Sequence, residues 1–192
     1  DLRRRITFKH VAARLDQLQD RIEYAMLHPE KMSLSVKDLY KELDEVADWV
    51  SKHSNGLFLE KIRGFQFKLR LFGLHFASLD IRQDSRVIQH ALDEALAACE
   101  VDVDAFRAQS TEEQVDALLG QQWEGAVDHL EVERHNDIIA SFRTMAKIQA
   151  FNGPRACHRF IISNCRGVLD VAAVAALARM AGVSKTLELD IV

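Results

Sequence analysis

The chain has 192 residues, 48% hydrophobic and 28% charged, with a formal net charge of −4 at pH 7, proportions that suit an ordinary globular domain. A chain of this length buries roughly 70% of its unfolded surface, so a core needs no staples. The acidic balance speaks against nucleic acid or a membrane surface as partner, no run of about 18 apolar residues offers a transmembrane helix, and Asp1-Leu-Arg-Arg-Arg5 leads into no apolar stretch of signal-peptide type.

Three cysteines, Cys99, Cys157 and Cys165, are odd in number and widely spaced, with no Cys-x-x-Cys, which favours a reduced, cytoplasmic setting. The chain lacks an initiator Met and stops at Leu189-Asp-Ile-Val192, wording that reads as a strand just beginning. The expectation is an internal segment of a longer polypeptide.

The first part reads as a helical hairpin over 1–56. Phe8, Val11, Leu15, Leu18, Ile22 and Met26 recur at steps of three and four, an apolar stripe along one helix. His28-Pro29 stops it, because the residue before proline avoids the helical region. Ser35 caps a second helix carrying Leu39, Leu43, Val46, Trp49 and Val50, ending near Asn55-Gly56. Arg3-Arg4-Arg5 reads as a solvated helix start.

From 57 to 192 the pattern is a helix-dominated α/β segment. Leu57–Phe72 reads as a helix stopped by Gly73, leading straight into a strand over Leu74–Arg82. Alternation puts Ala77, Leu79 and Ile81 on one face and Ser78, Asp80 and Arg82 on the other. Ser85 suits the N-cap of a helix to about Cys99, and Ser110-Thr-Glu-Glu113 has capping-box spacing. A long helix is expected from Val127 to Asn152, closed by Gly153-Pro154. Arg159–Ser163, Asp170–Ala181 and Leu187–Val192 read as strand, helix and strand, hence a parallel pair with a crossover.

Chemistry concentrates where the first strand ends in Asp80, Arg82, Gln83 and Asp84. Arg82 has two readings. It pairs with Asp80 or Asp84 and stabilises a loop, or its planar fork of donors grips a phosphate or carboxylate. Other signals are weak. His129 and His135 sit six apart on the expected helix and point to different faces, and no zinc-type cluster occurs. His75 reads as a packed, hydrogen-bonded histidine, and Phe65, Phe67, Phe72 and Phe76 as core. No nucleotide cradle or serine-nucleophile elbow is present.

Leu79-Asp-Ile-Arg-Gln-Asp-Ser85 resembles a signature segment of the phosphoenolpyruvate carboxylase family. Leu69-Arg-Leu-Phe-Gly73 is similar to the family's approach to that strand, Phe160-Ile-Ile-Ser163 with Asp170-Val171 to its next strand and helix, and Leu189–Val192 to the lead into a strand with a metal-binding acid. The resemblance runs from about Leu57 to Val192, while the first 56 residues carry no matching motif. Ile88 replaces a frequent histidine, Val168-Leu169 a more usual Pro-Ser, and Asn164-Cys165 differs from some branches.

The resemblance implies part of a (β/α) TIM-type barrel with a few parallel strands, whose active site lies at the C-terminal strand ends. It implies that Arg82 binds the substrate phosphate. Gln83 and Asp84 are either supporting neighbours or simple loop hydrogen-bonders, and structural roles are expected for Ser163 and Asn164. For the whole enzyme it implies a cytoplasmic homotetramer. That enzyme would use Mg²⁺ or Mn²⁺ to make oxaloacetate and phosphate from phosphoenolpyruvate and bicarbonate. The family's catalytic histidine, its Gly- and Arg-rich loops and its metal-ligating acids have no match here, so this segment is expected to hold no metal site and no turnover. The competing readings are a non-catalytic scaffold whose Phe8–Val50 hairpin binds a partner helix, and another phosphate-handling barrel enzyme.

Overall fold

In the computed structural model, which describes residues 8–28, 31 and 34–192, the chain separates between Phe76 and Ala77 into two units.

Among the described residues the first unit contains α1 (Lys9–Leu27), α2 (Val36–His53) and α3 (Leu59–Phe72). Helix α2 carries its stripe as expected, burying Leu39, Leu43, Val46, Ala47 and Val50. Helix α1 buries only Val11 and Leu18, and its outer stripe members Leu15 and Met26 are exposed. Two small clusters result: Leu18, Leu39, Leu43 and Leu69 in one, Val11, Val46 and Val50 in the other. Ile62 of α3 packs against both. Helix α3 therefore groups with the hairpin, and the contact boundary lies later than the one expected after Gly56.

Local signals were reliable in this unit. Ser35 Oγ accepts from the Asp38 N–H at 3.1 Å while the Asp38 carboxylate accepts from the Ser35 N–H at 3.4 Å, a full capping box. Helix α1 stops as expected, with the His28 N–H donating to the Tyr24 carbonyl at 2.9 Å. Pro29 and Arg3-Arg4-Arg5 lie outside the described residues. Arg14 bridges Glu42 and Glu45, and Arg21 also reaches Glu42, which ties α1 to α2 through half-exposed charges.

The aromatic expectation fails. Phe65, Phe67, Phe72 and Phe76 are 48%, 66%, 37% and 77% exposed, because α3 is apolar on several faces and buries only Gln66 and Leu69. After α3 the backbone turns at Gly73, whose φ is +56° and where a Cβ would meet the His75 ring at 2.7 Å. Only glycine fits that position. His75 is accordingly half-buried against Gly73, and it makes no side-chain hydrogen bond among the described residues, contrary to expectation.

The second unit holds a parallel sheet of three strands in the order β1 (Asp80–Asp84), β2 (Arg159–Ser163), β3 (Asp190–Ile191). Strand β1 starts later than the expected Leu74. The apolar run before it is turn and bend, with Phe76 at φ +61°, so hydrophobicity there marks a connection rather than a ladder. Strand β3 is likewise shorter than Leu187–Val192, although the Ile162 N–H to Val192 carbonyl bond at 2.8 Å prolongs the pairing.

Helices α4 (Ser85–Ala98), α5 (Val103–Ala108), α6 (Thr111–Gly120), α7 (Glu133–Asn152) and α8 (Val168–Met180) accompany the sheet. Their core is continuous: Ile88, Leu92 and Leu96 of α4, Ile139, Phe142 and Met145 of α7, Phe160 of β2, and Ala173, Leu177 and Met180 of α8. Phe142 stacks on Phe160 with ring centroids 5.1 Å apart. Alanines on α8 permit a close approach, and at Gly182 (φ +77°) a Cβ would lie 3.3 Å from the Gly125 Cα. Ile88 is fully buried and therefore serves the core.

Helix α6 starts on the expected capping box, with the Ser110 Oγ accepting from the Glu113 N–H. Helix α7 begins at Glu133, later than the expected Val127, and His129 consequently precedes it. A carboxylate from elsewhere sets that start: Glu94 of α4 accepts from the Glu131 and Val132 N–H groups and meets His135 Nδ1 at 2.6 Å. Burial pushes the Glu94 carboxyl up, but His135 and the two N–H groups outweigh it and hold it below the usual value. The buried Gln149 donates to the Cys157 and Glu188 carbonyls, both at 2.7 Å, and accepts from the Glu188 N–H at 2.9 Å. One side chain thereby stitches the approaches to β2 and β3.

Candidate functional site

Strand register builds the site. Asp80, Ile81, Arg82, Gln83 and Asp84 pair with Arg159, Phe160, Ile161, Ile162 and Ser163, and Phe160 pairs with Ile191. Side chains alternate along each strand. Ile81, Phe160 and Ile191 therefore form the row that joins the helical core. The other face carries Asp80, Arg82 and Asp84 beside Arg159, Ile161 and Ser163. The face assignment expected for Ile81, Asp80 and Arg82 is the one observed, whereas Ala77, Ser78 and Leu79 precede the strand.

Arg82 is exposed, and its guanidinium, among the described residues, has no hydrogen-bond or ion-pair partner. Both carboxylates that could have claimed it are engaged elsewhere. Asp80 pairs across the sheet with Arg159 Nε at 3.1 Å. Asp84 takes a bidentate contact from Arg86, whose Nε and Nη2 each lie at 2.9 Å. It also accepts from the Arg86 N–H at 2.9 Å and from Asn164 Nδ2 at 2.9 Å. Arg86 foremost, then Asn164, hold the Asp84 carboxyl far below the usual carboxylate range. Of the two readings of Arg82, pairing with Asp80 or Asp84 is not the arrangement seen.

The neighbours separate in role. Gln83 lies on the opposite face from Arg82, half-buried, with its Oε1 accepting from the Asp84 N–H at 3.0 Å. Asp84, not Ser85 as expected, is the N-cap of α4. Ser85 is fully buried, and its hydroxyl donates to the Asn164 carbonyl at 2.8 Å. Asn164, in the left-handed region at φ +58°, thus closes a loop of hydrogen bonds joining the ends of β1 and β2. Beyond β2, the buried Asp170 accepts from Gln89 Nε2 at 2.8 Å and from the Arg166 N–H at 2.7 Å.

Sequence reading placed Arg82 on the correct face and assigned Asn164 a structural part. It missed Arg159 and Arg86 as partners of the flanking aspartates. Arg86 was within reach of local reasoning, because Asp-x-Arg at a helix start lets one carboxylate cap and pair. Arg159 was not, since only the register sets it opposite Asp80.

A phosphate- or carboxylate-sized anion suits this arrangement: an unpaired guanidinium near the C-terminal end of a parallel strand, in a helix-covered α/β unit. That defines an α/β unit with an unpaired arginine near a strand end. The family model of phosphoenolpyruvate carboxylase matches residues 3–192, and the chain belongs to that family. The match includes the N-terminal helices, for which the sequence offered no motif. Proteins named phosphoenolpyruvate carboxylase from Mycolicibacterium paratuberculosis, Roseiflexus castenholzii and Xanthomonas euvesicatoria pv. vesicatoria are similar to it. The first is 31% identical over 150 residues, 76% of this chain and 16% of the relative. The second is 34% identical over 134 residues, 67% and 14%, and the third 31% over 172 residues, 88% and 18%. The chain thus spans less than a fifth of the length of these relatives.

Proposed function

We propose that this chain is the phosphate-gripping segment of a phosphoenolpyruvate carboxylase, with β1–β3 forming part of its (β/α) barrel and the face bearing Arg82 turned to the barrel interior. One observation carries the reading: Arg82 stands unpaired near a strand end while both neighbouring aspartates are engaged. Its guanidinium would hold the phosphate of phosphoenolpyruvate. It would then stabilise charge as bicarbonate oxygen attacks phosphorus and the bond to the enol oxygen breaks, leaving carboxyphosphate and the pyruvate enolate. Carbon dioxide released from carboxyphosphate then carboxylates the enolate to oxaloacetate, and phosphate leaves. Asp84 supports Arg82 by anchoring the strand end, and Gln83 braces the turn into α4. Assembly as a cytoplasmic homotetramer belongs to the same reading.

The same reading assigns the family's Mg²⁺ or Mn²⁺ to residues of the parent outside this segment. Among the described residues no group of three His, Cys, Asp or Glu side chains is arranged to hold an ion, and the share of the chemistry that this reading gives the chain is the phosphate contact. No helix among the described residues is long and apolar enough to cross a membrane. The scaffold reading needs an open groove on the hairpin, but Val11, Val46 and Val50 pack on one another.

The test compares two proteins supplied with phosphoenolpyruvate, bicarbonate and Mg²⁺. The full-length parent is expected to form oxaloacetate and the isolated chain none. A folded, metal-loaded parent that forms none defeats the carboxylase reading, and turnover by the isolated chain defeats its assignment as a partial site.

A further inference from the structure

Arg82 shares its strand face with two carboxylates, Asp80 and Asp84, two residues away on either side. Arginine's long side chain spans that distance, so on sequence alone either aspartate should capture it. Neither does. Arg159, paired in register with Asp80, contacts its carboxylate at 3.1 Å. Arg86 and Asn164 together take up Asp84. We propose that Arg159 and Arg86 are positioning residues that hold the flanking carboxylates off Arg82, so that its guanidinium remains open to a phosphate-bearing ligand.

The inference rests on Arg82 as an anion-binding group, and it assigns parts to two residues that need not touch the ligand. Removing Arg159 releases a negative charge beside Arg82. That charge competes with the ligand and repels it. If Arg159 served only to hold the sheet together, removing the Asp80 charge as well would not restore binding. Here the loss should also be cured by removing the neighbouring acid, which a merely structural role does not predict.

The experiment uses the full-length parent, with inorganic phosphate affinity measured by calorimetry alongside kcat and KM for phosphoenolpyruvate. Arg159→Gln is expected to weaken phosphate binding and raise KM by about fivefold, the upper end for an exposed ion pair, with a smaller change in kcat. Adding Asp80→Asn should return both to within about twofold of wild type. Arg86, whose side chain is 72% exposed, provides a second pair whose substitution opens no buried cavity. Arg86→Gln should weaken phosphate binding and Asp84→Asn should restore it, asparagine being an equally good N-cap. Unchanged affinity in the single variants, or double variants as weak as the singles, would overturn the proposal. Failure of the parent to form oxaloacetate defeats the carboxylase reading alone, because phosphate affinities still decide this one.

Discussion

The two units are stabilised at different depths. In the helical unit the described residues form two small clusters, each built from a few side chains at the helix interfaces, supplemented by half-exposed pairs of Arg14 and Arg21 with Glu42 and Glu45. In the α/β unit one continuous core runs through α4, α7, β2 and α8, and side-chain bonds from Glu94 and Gln149 join elements far apart in sequence. The strand end carrying Arg82 sits on the deeper of the two. A guanidinium that must meet a ligand with fixed geometry benefits from a scaffold whose members are packed on every side.

Truncating the deep core gives the largest expected effect. Phe160→Ala removes a fully buried ring stacked on Phe142 and should cost about 3–5 kcal/mol, against about 2–3 kcal/mol for Leu43→Ala in the helical unit. Urea denaturation measures both, and equal losses would erase the contrast in depth.

Acid should act next. The carboxyls of Glu94 and Asp84 are held below their usual values in the folded chain. Their contribution is therefore complete above those usual values and disappears as the pH falls through the depressed folded values. The stability of wild type should decline on acidification, and Glu94→Gln should decline less steeply while costing about 1 kcal/mol at neutral pH through the weakened α7 cap. Parallel pH profiles for the two proteins would remove Glu94 from the account.

The local caps come last. Ser35→Ala and Ser110→Ala should each cost about 1 kcal/mol, read from denaturation midpoints. Because these caps are exposed and self-contained, the two values should agree despite the different cores beneath them. A much larger loss at Ser110 would mean that α6 is coupled to the deep core.

Legibility in the sequence followed the same division between near and far. The Ser35 cap, the Ser110 capping box, the Arg159–Ser163 strand and the helix after it were readable, because each depends on residues a few positions apart, and the strand–helix–strand order then implied the parallel pairing. The start of α7 was not, since Glu94 supplies its cap from another helix, and Val127 and Leu130 mimic helical spacing while packing in the core as loop. The run before β1 misled for a related reason: its apolar residues are exposed in a turn rather than alternating in a strand. Helix α5, capped by Asp102, went unread because six residues carry too little periodicity. At the site, Arg82 and its face were legible. The reason Arg82 stands free was not, because it depends on a cross-strand arginine that only the register reveals.

The measurement that tests the central claim most directly is oxaloacetate formation by the full-length parent carrying Arg82→Ala, with folding stability followed in parallel. Since Arg82 is exposed and unpaired among the described residues, the account predicts unchanged stability and a loss of activity of about a hundredfold or more. Full activity in a stably folded Arg82→Ala parent would contradict it and leave Arg82 as an ordinary surface arginine.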